Sequence, residues 1–137
     1  MTVRCFVDTN VLIYAAAGRD DEPAKYARAR EILQTEGLGT SAQVLQEFFV
    51  NIVHKPAKPL SVQDAFDWVQ RLAAFPCVAI DANLVMIAIA LSERYQINYW
   101  DAAIIAAAER LEAPVVYSED FNPGQSYGSV RVLNPFA

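Results

Sequence analysis

CFVDTNVLIY, residues 5–14, decides how this chain is read. Cys5, Phe6 and Val7 are apolar, as are Val11, Leu12 and Ile13, and between the two runs stands Asp8-Thr9-Asn10. The first run has the β-branched and aromatic character of a buried strand. A carboxylate at the end of such a strand is costly unless it is paired, hydrogen-bonded or bound to a cation. Asp8 therefore needs a chemical reason.

Working outward, residues 2–7 read as a strand and 11–17 as a short helix, followed by a GRDDEP loop. Helix formers cover 24–35, with Pro23 suited to the first turn. A short strand lies within 37–41, and Ser41 can cap a helix over 42–55 that Pro56 and Pro59 stop. Ser61 caps a helix over 62–75, with Asp64 placed like the acid of a capping box. Residues 77–80 read as a third strand, and Asp81 caps a helix over 82–95. After a QIN link comes a helix over 99–111, a fourth strand at 115–117, a turn-rich loop at 118–128 and a last strand at 130–133. Apolar strands alternating with helices predict an α/β fold, a three-layer α/β/α sandwich around a parallel central sheet. With no repeat or linker, residues 1–137 read as a single domain.

Composition narrows the function classes. A chain 54% hydrophobic and 20% charged belongs with compact folds and not with disorder. No apolar run reaches the roughly 18 residues of a membrane span. The start has none of the zones of a secretory leader, so a cytoplasmic location is expected. Cys5 and Cys77 are isolated in apolar contexts and read as reduced core thiols. With His54 the lone histidine, neither a zinc cluster nor a histidine-based triad is supported. A net charge of -5 argues against general polyanion binding, unless the acids converge on a metal.

Ligands of open α/β sheets gather beyond the carboxyl ends of the strands. Asp8 ends the first strand there, and Glu119 and Asp120 follow the fourth, which is its neighbour if the chain crosses over between them. Asp101 opens a helix of Ala and Ile, where the plainer role is an N-cap. Glu47 edges the stripe of Val44, Leu45, Phe48, Phe49 and Ile52, with Asn51 one turn further on; taken alone, such a glutamate is a solvated surface residue.

Taken in order, these acids resemble the PIN-domain ribonucleases. FVDTNVLIY, YWDAAIIAAA and VVYSEDFNPGQ carry the resemblance, which runs the length of the chain. Within that family the compact chain is similar to VapC-type toxins, the nuclease halves of toxin–antitoxin pairs. The resemblance implies catalytic acids at Asp8, Glu47, Asp101 and Asp120. Asn10 matches a residue that supports the first acid, Ser118 falls where many relatives have Thr, and Glu119 is the alternative to Asp120. It implies metal-dependent hydrolysis of RNA phosphodiesters, with Asp8, Asp101 and Asp120 holding Mg²⁺, or Mn²⁺ in its place. Both ions take oxygen ligands and would relieve the repulsion of clustered carboxylates. It further implies an RNA substrate, a small antitoxin partner over a groove near the helices at 24–35 and 42–55, and a homodimer.

The bases fall in two groups, Lys25, Arg28 and Arg30 in one and His54, Lys55 and Lys58 in the other. Either could touch an RNA backbone, and Tyr26 or Trp100 could stack on an unpaired base. The plainer readings are a solvated helix face, a loop, and Trp100 as a core residue. Other functions with the same acids are a housekeeping RNA-processing nuclease or a non-catalytic metal-binding module. An aspartyl-nucleophile phosphatase would need a second Asp where Asn10 stands and a late lysine, and residues 114–137 contain none.

Overall fold

The computed structural model describes residues 2–54, 57–122 and 124–137. The expectations resting on Lys55, Pro56 and Pro123 lie outside the described residues. Strand β1 (Cys5–Val7) runs directly into helix α1 (Thr9–Ala17), and Asp8 makes the turn between them. The strand is shorter than the expected 2–7 because Arg4 and Cys5 both donate their N–H to the Gly37 carbonyl, outside the regular ladder. The helix begins two residues earlier than 11, because the Asp8 side chain accepts from the Thr9 N–H and caps it.

Helix α2 (Pro23–Leu33) opens on its proline, which loses no hydrogen bond at that position. Strand β2 (Leu38–Ser41) is fully buried, and Ser41 Oγ accepts from the Val44 N–H to start helix α3 (Ala42–Ile52). That helix ends three residues before the expected 55; after Val53 the chain turns. Ser61 caps helix α4 (Val62–Leu72), again three residues shorter than its apolar pattern. Strand β3 (Cys77–Val78) has two residues, not four, because Ile80 is exposed at the edge of the sheet and the chain turns away to Asp81. Asp81 caps helix α5 (Ala82–Tyr95) by accepting from the Leu84 N–H.

Helix α6 (Tyr99–Arg110) is followed by strand β4 (Val115–Tyr117). The expected loop at 118–128 contains a short strand, β5 (Ser126–Tyr127), which pairs antiparallel with β6 (Val130–Leu133). Two residues give too short a period to be seen in sequence, so this hairpin is a finding of the structure alone.

The sheet has the order β3-β2-β1-β4-β6-β5 and is parallel except for β5. β1 pairs with β2 on one side and with β4 on the other, so the chain reverses its direction of travel across the sheet at β1. α1 packs against α2 and α3, α3 against α4, and α5 against α6, giving the three-layer sandwich expected. Phe6, Val7, Leu12, Phe48, Ile105 and Val116 lie at full burial in its core. Both cysteines are free, Cys5 buried and Cys77 half-buried.

Gly39 in β2 sits where the end of α6 presses on the sheet. An added Cβ would stand 2.7 Å from Leu111 Cδ1 and 2.9 Å from Val3 Cγ1. Gly39→Ala is therefore expected to cost about 1–3 kcal/mol by overpacking, read as a lowered urea midpoint at unchanged m.

Candidate metal centre

The carboxyl ends of β1 and β4 lie side by side, joined by the Asp8 N–H donating to the Tyr117 carbonyl at 3.0 Å. A cleft of about 340 Å³ opens there, and Asp8, Glu47, Asp101 and Asp120 all line it, with Asn10, Asn51 and Trp100. Four acids from four separate segments thus reach one space.

Asp8 is the most enclosed, at 6% exposure. One carboxylate oxygen accepts from the Thr9 N–H at 2.7 Å and the other from the Ser118 hydroxyl at 2.7 Å. Ser118 Oγ in turn accepts from the Asp120 N–H at 3.1 Å and from Asn10 Nδ2 at 3.2 Å. The same Asn10 amide donates to Asp120 Oδ2 at 2.9 Å, and Asn10 Oδ1 accepts from the Glu119 N–H at 3.4 Å. Asn10 and Ser118 therefore tie the first acid to the last.

Asp101 lies in the first turn of α6, where the helix dipole favours a negative charge. It is not the cap. Asn98 takes that place, accepting from the Asp101 N–H and donating its amide to Asp101 Oδ2, both at 2.9 Å. This frees the Asp101 carboxylate to face the cleft. Glu47 is held by Thr9 Oγ1 and Gln43 Nε2, each donating at 3.3 Å. Sequence reasoning missed Thr9, Gln43 and Asn98. Gln43 stands four residues before Glu47 and Asn98 three before Asp101, spacings that place side chains together once the helices are known.

Glu119 is set apart from the cleft. It accepts from Tyr14 Oη at 2.5 Å and pairs with Lys25 Nζ at 3.1 Å; the Lys25 hydrogen bond to Tyr14, and next that to Glu119, hold its ammonium above its usual range. Asp120, not Glu119, lines the cleft with the other acids. The basic group of α2 is engaged within the fold. Arg28 bonds the Pro135 carbonyl and Glu31, while Arg30 bonds the Ala15 carbonyl and lies over Tyr26 and Trp68. Lys58 pairs with Asp20. Trp100, read from sequence as core, is 65% exposed at the lip of the cleft. As the second residue of α6, its side chain leaves the helix before the buried Ala and Ile face begins.

Burial pushes the Asp8 carboxyl up to about 6; the Ser118 and Thr9 bonds oppose the shift and the Glu47 and Asp120 charges add to it. Asp101 is raised for the same first reason, with Asp120 and Glu47 contributing and Asn98 opposing. The donor set is all hard oxygen, with no basic side chain lining the cleft among the described residues. Among the described residues no three acids, histidines or cysteines form a compact group that could hold an ion on their own. Hard divalent cations that keep several waters and take one or two carboxylates directly suit such oxygen donors.

The raised Asp8 carboxyl has a consequence for stability. Unfolded, it titrates near 3.8; folded, near 6. Between these values the folded state holds more protons, so stability is full below about pH 4 and is lost as pH rises through 6. Chelator-treated protein should be more stable at about pH 5 than at 7.5, by roughly 1–1.5 kcal/mol from Asp8. Asp8→Asn should flatten this dependence, and Mg²⁺ at pH 7.5 should restore stability to the wild type. Thermal melts across pH measure both.

A PIN domain family model matches residues 5–123. A search of curated proteins returns no significant match. Among solved structures the fold is similar to VapC20 of Mycobacterium tuberculosis, described as a sarcin-ricin loop cleaving toxin, at TM-score 0.68 and 16% identity over 85% of this chain and 89% of that one. It is also similar to a chain of a toxin–antitoxin complex from Klebsiella pneumoniae, at TM-score 0.63 and 19% identity over 96% and 97%. A third likeness is to VapBC2 from Rickettsia felis bound to a fragment of its promoter DNA, at TM-score 0.64 and 18% identity over 95% and 97%. With a family model spanning most of its length, the chain belongs to the PIN domain family.

Proposed function

We propose that this chain is a metal-dependent endoribonuclease that hydrolyses RNA phosphodiester bonds, and that it is the toxin half of a VapBC-type toxin–antitoxin pair acting in the cytoplasm. The observation that carries the reading is the buried Asp8 carboxylate, which shares a cleft with Glu47, Asp101 and Asp120 and has no basic side chain on the cleft wall among the described residues. The presence of the first and last strands in one sheet supports treating residues 1–137 as one nuclease domain.

In this reading Asp8, Asp101 and Asp120 hold Mg²⁺, or Mn²⁺ in its place. Such an ion, when bound, offsets charge on the phosphate and makes an attacking water more acidic. Asn10 and Ser118 keep Asp8 and Asp120 at a fixed separation through their shared bonds. Glu47, steered by Thr9 and Gln43, orients the attacking water and accepts its proton. Glu119 supports the loop by anchoring it to Tyr14 and Lys25.

The VapC-type and toxin–antitoxin likenesses support a small antitoxin as partner. An apolar groove of about 270 Å³ between α3 and α4, lined by Leu45, Phe49, Phe66 and Val69, offers it a seat. Exposed Met86 and Ile89 on α5 offer a face for a homodimer.

Purified, antitoxin-free protein is expected to cut a structured RNA mixture with Mg²⁺ or Mn²⁺ and not with EDTA. Asp8→Asn and Asp101→Asn should each lower the rate at least about 100-fold. Folded protein that cuts no RNA with either metal would sink the nuclease reading. Ser118→Ala, which leaves one oxygen of buried Asp8 without its hydroxyl donor, should cost about 1–3 kcal/mol in denaturant titration and lower the cleavage rate. Induced expression should arrest growth with the wild type and not with Asp8→Asn; an active nuclease that causes no arrest would instead favour a housekeeping role.

A further inference from the structure

We propose that Trp100 is a substrate-positioning residue on which an unpaired RNA base stacks beside the cleaved phosphate. This rests on the RNA-cleaving reading above. The acid cleft is the middle of a longer groove. On one side it shares Glu47, Asn51 and Trp100 with a cavity of about 390 Å³ that adds Gln43, Gln46 and Val50. On the other it shares Ile13 and Asn51 with a cavity of about 230 Å³ reaching Gly18 and Glu22. Among the described residues no lysine, arginine or histidine lines any of the three.

Among the described residues, a polyanion laid in this groove meets no basic side chain on its walls. Lys25 on α2 is already held by Glu119 and Tyr14. Groups other than phosphate partners among these residues can then contribute to binding. Trp100 supplies one, as a large bare aromatic next in sequence to Asp101. Its ring meets Tyr99 edge-on, with centroids 5.1 Å apart and planes at 82°, and its carbonyl accepts from Gln43 Nε2 at 3.3 Å. Both contacts limit its movement and leave the ring exposed. Unpaired bases stack on such rings, and sequence-specific recognition of RNA relies on it. Beside it the exposed Gln46 amide can both donate to and accept from a base edge, while the Asn51 amide keeps one N–H beyond its bond to the Glu47 carbonyl. Val50 and Trp100 are the apolar residues of that cavity, with three amides and a carboxylate beside them.

The test uses the full chain. The two tryptophans are Trp68 and Trp100, so Trp68→Phe in an Asp8→Asn background leaves Trp100 as the sole indole. Random-sequence single-stranded RNA is expected to quench its fluorescence, and a blunt RNA duplex is not. In the cleaving protein, Trp100→Ala should raise KM about tenfold with a smaller effect on kcat, and Trp100→Phe should recover most of the loss. Affinity should fall less than tenfold between about 50 and 200 mM salt, since few phosphates are neutralised. Unquenched fluorescence with single-stranded RNA, or an unchanged KM in Trp100→Ala, overturns the proposal. So does a Trp100→Ala variant that loses self-association at unchanged KM, since the ring would then belong to a protein interface. Quenching by single-stranded RNA in a preparation that cuts none would uphold the stacking role and remove the nuclease reading, so the two fail separately.

Discussion

Asp8 carries two requirements at one position. Its backbone N–H extends the central ladder by bonding the Tyr117 carbonyl, and its side chain caps α1 through the Thr9 N–H. Both tie it to the buried centre of the sheet, where a carboxylate is poorly solvated. The surrounding polar groups can be understood as responses to that one charge. Ser118 donates to it from full burial, and Asn10 donates to Ser118. The N-termini of α1 and α6 both open toward the same cleft. These contacts lower the cost of the charge without removing it, which is why the carboxyl still titrates near 6.

The sheet order explains how acids from distant segments meet. Placing β1 between β2 and β4 brings the strand-end residues Asp8 and Asp120 to one edge. β2 leads directly through Ser41 into α3, which carries Glu47, and the αL turn at Gln96 delivers Asp101 at the start of α6. Two of the acids are bonded by a neighbour close in sequence, Gln43 for Glu47 and Asn98 for Asp101. The Asp120 carboxylate is instead held by Asn10, 110 positions away, which the parallel topology brings alongside.

The acidic balance of the chain, -5 overall, also takes on a physical sense. Its basic side chains are largely committed to internal contacts. Arg30 and Arg71 flank Trp68, Arg110 pairs with Asp81, and Lys25 with Glu119. A groove lined by acids, amides and one exposed indole is poorly suited to binding nucleic acid by charge alone. The proposed ion and the proposed stacking contact supply attraction of other kinds, local and directional.

The sequence by itself determined the alternation of strands and helices and the caps at Ser41, Ser61 and Asp81. Those features rest on contacts a few residues apart, and apolar period and cap chemistry report them directly. It overran several element ends, because amphipathic patterns persist past the last helical bond, as at 53–54 and 73–75. It did not reveal the β5–β6 hairpin, the choice of Asp120 over Glu119 at the cleft, Asn98 as the cap ahead of Asp101, or the exposure of Trp100. Adjacent acids are equivalent in sequence. Only the packing of α1 and α2 beside the loop after β4 decides that Glu119 meets Lys25 and Tyr14 while Asp120 faces the cleft. The Glu119 contacts join residues 94 and 105 positions apart, and the tertiary structure alone brings them together.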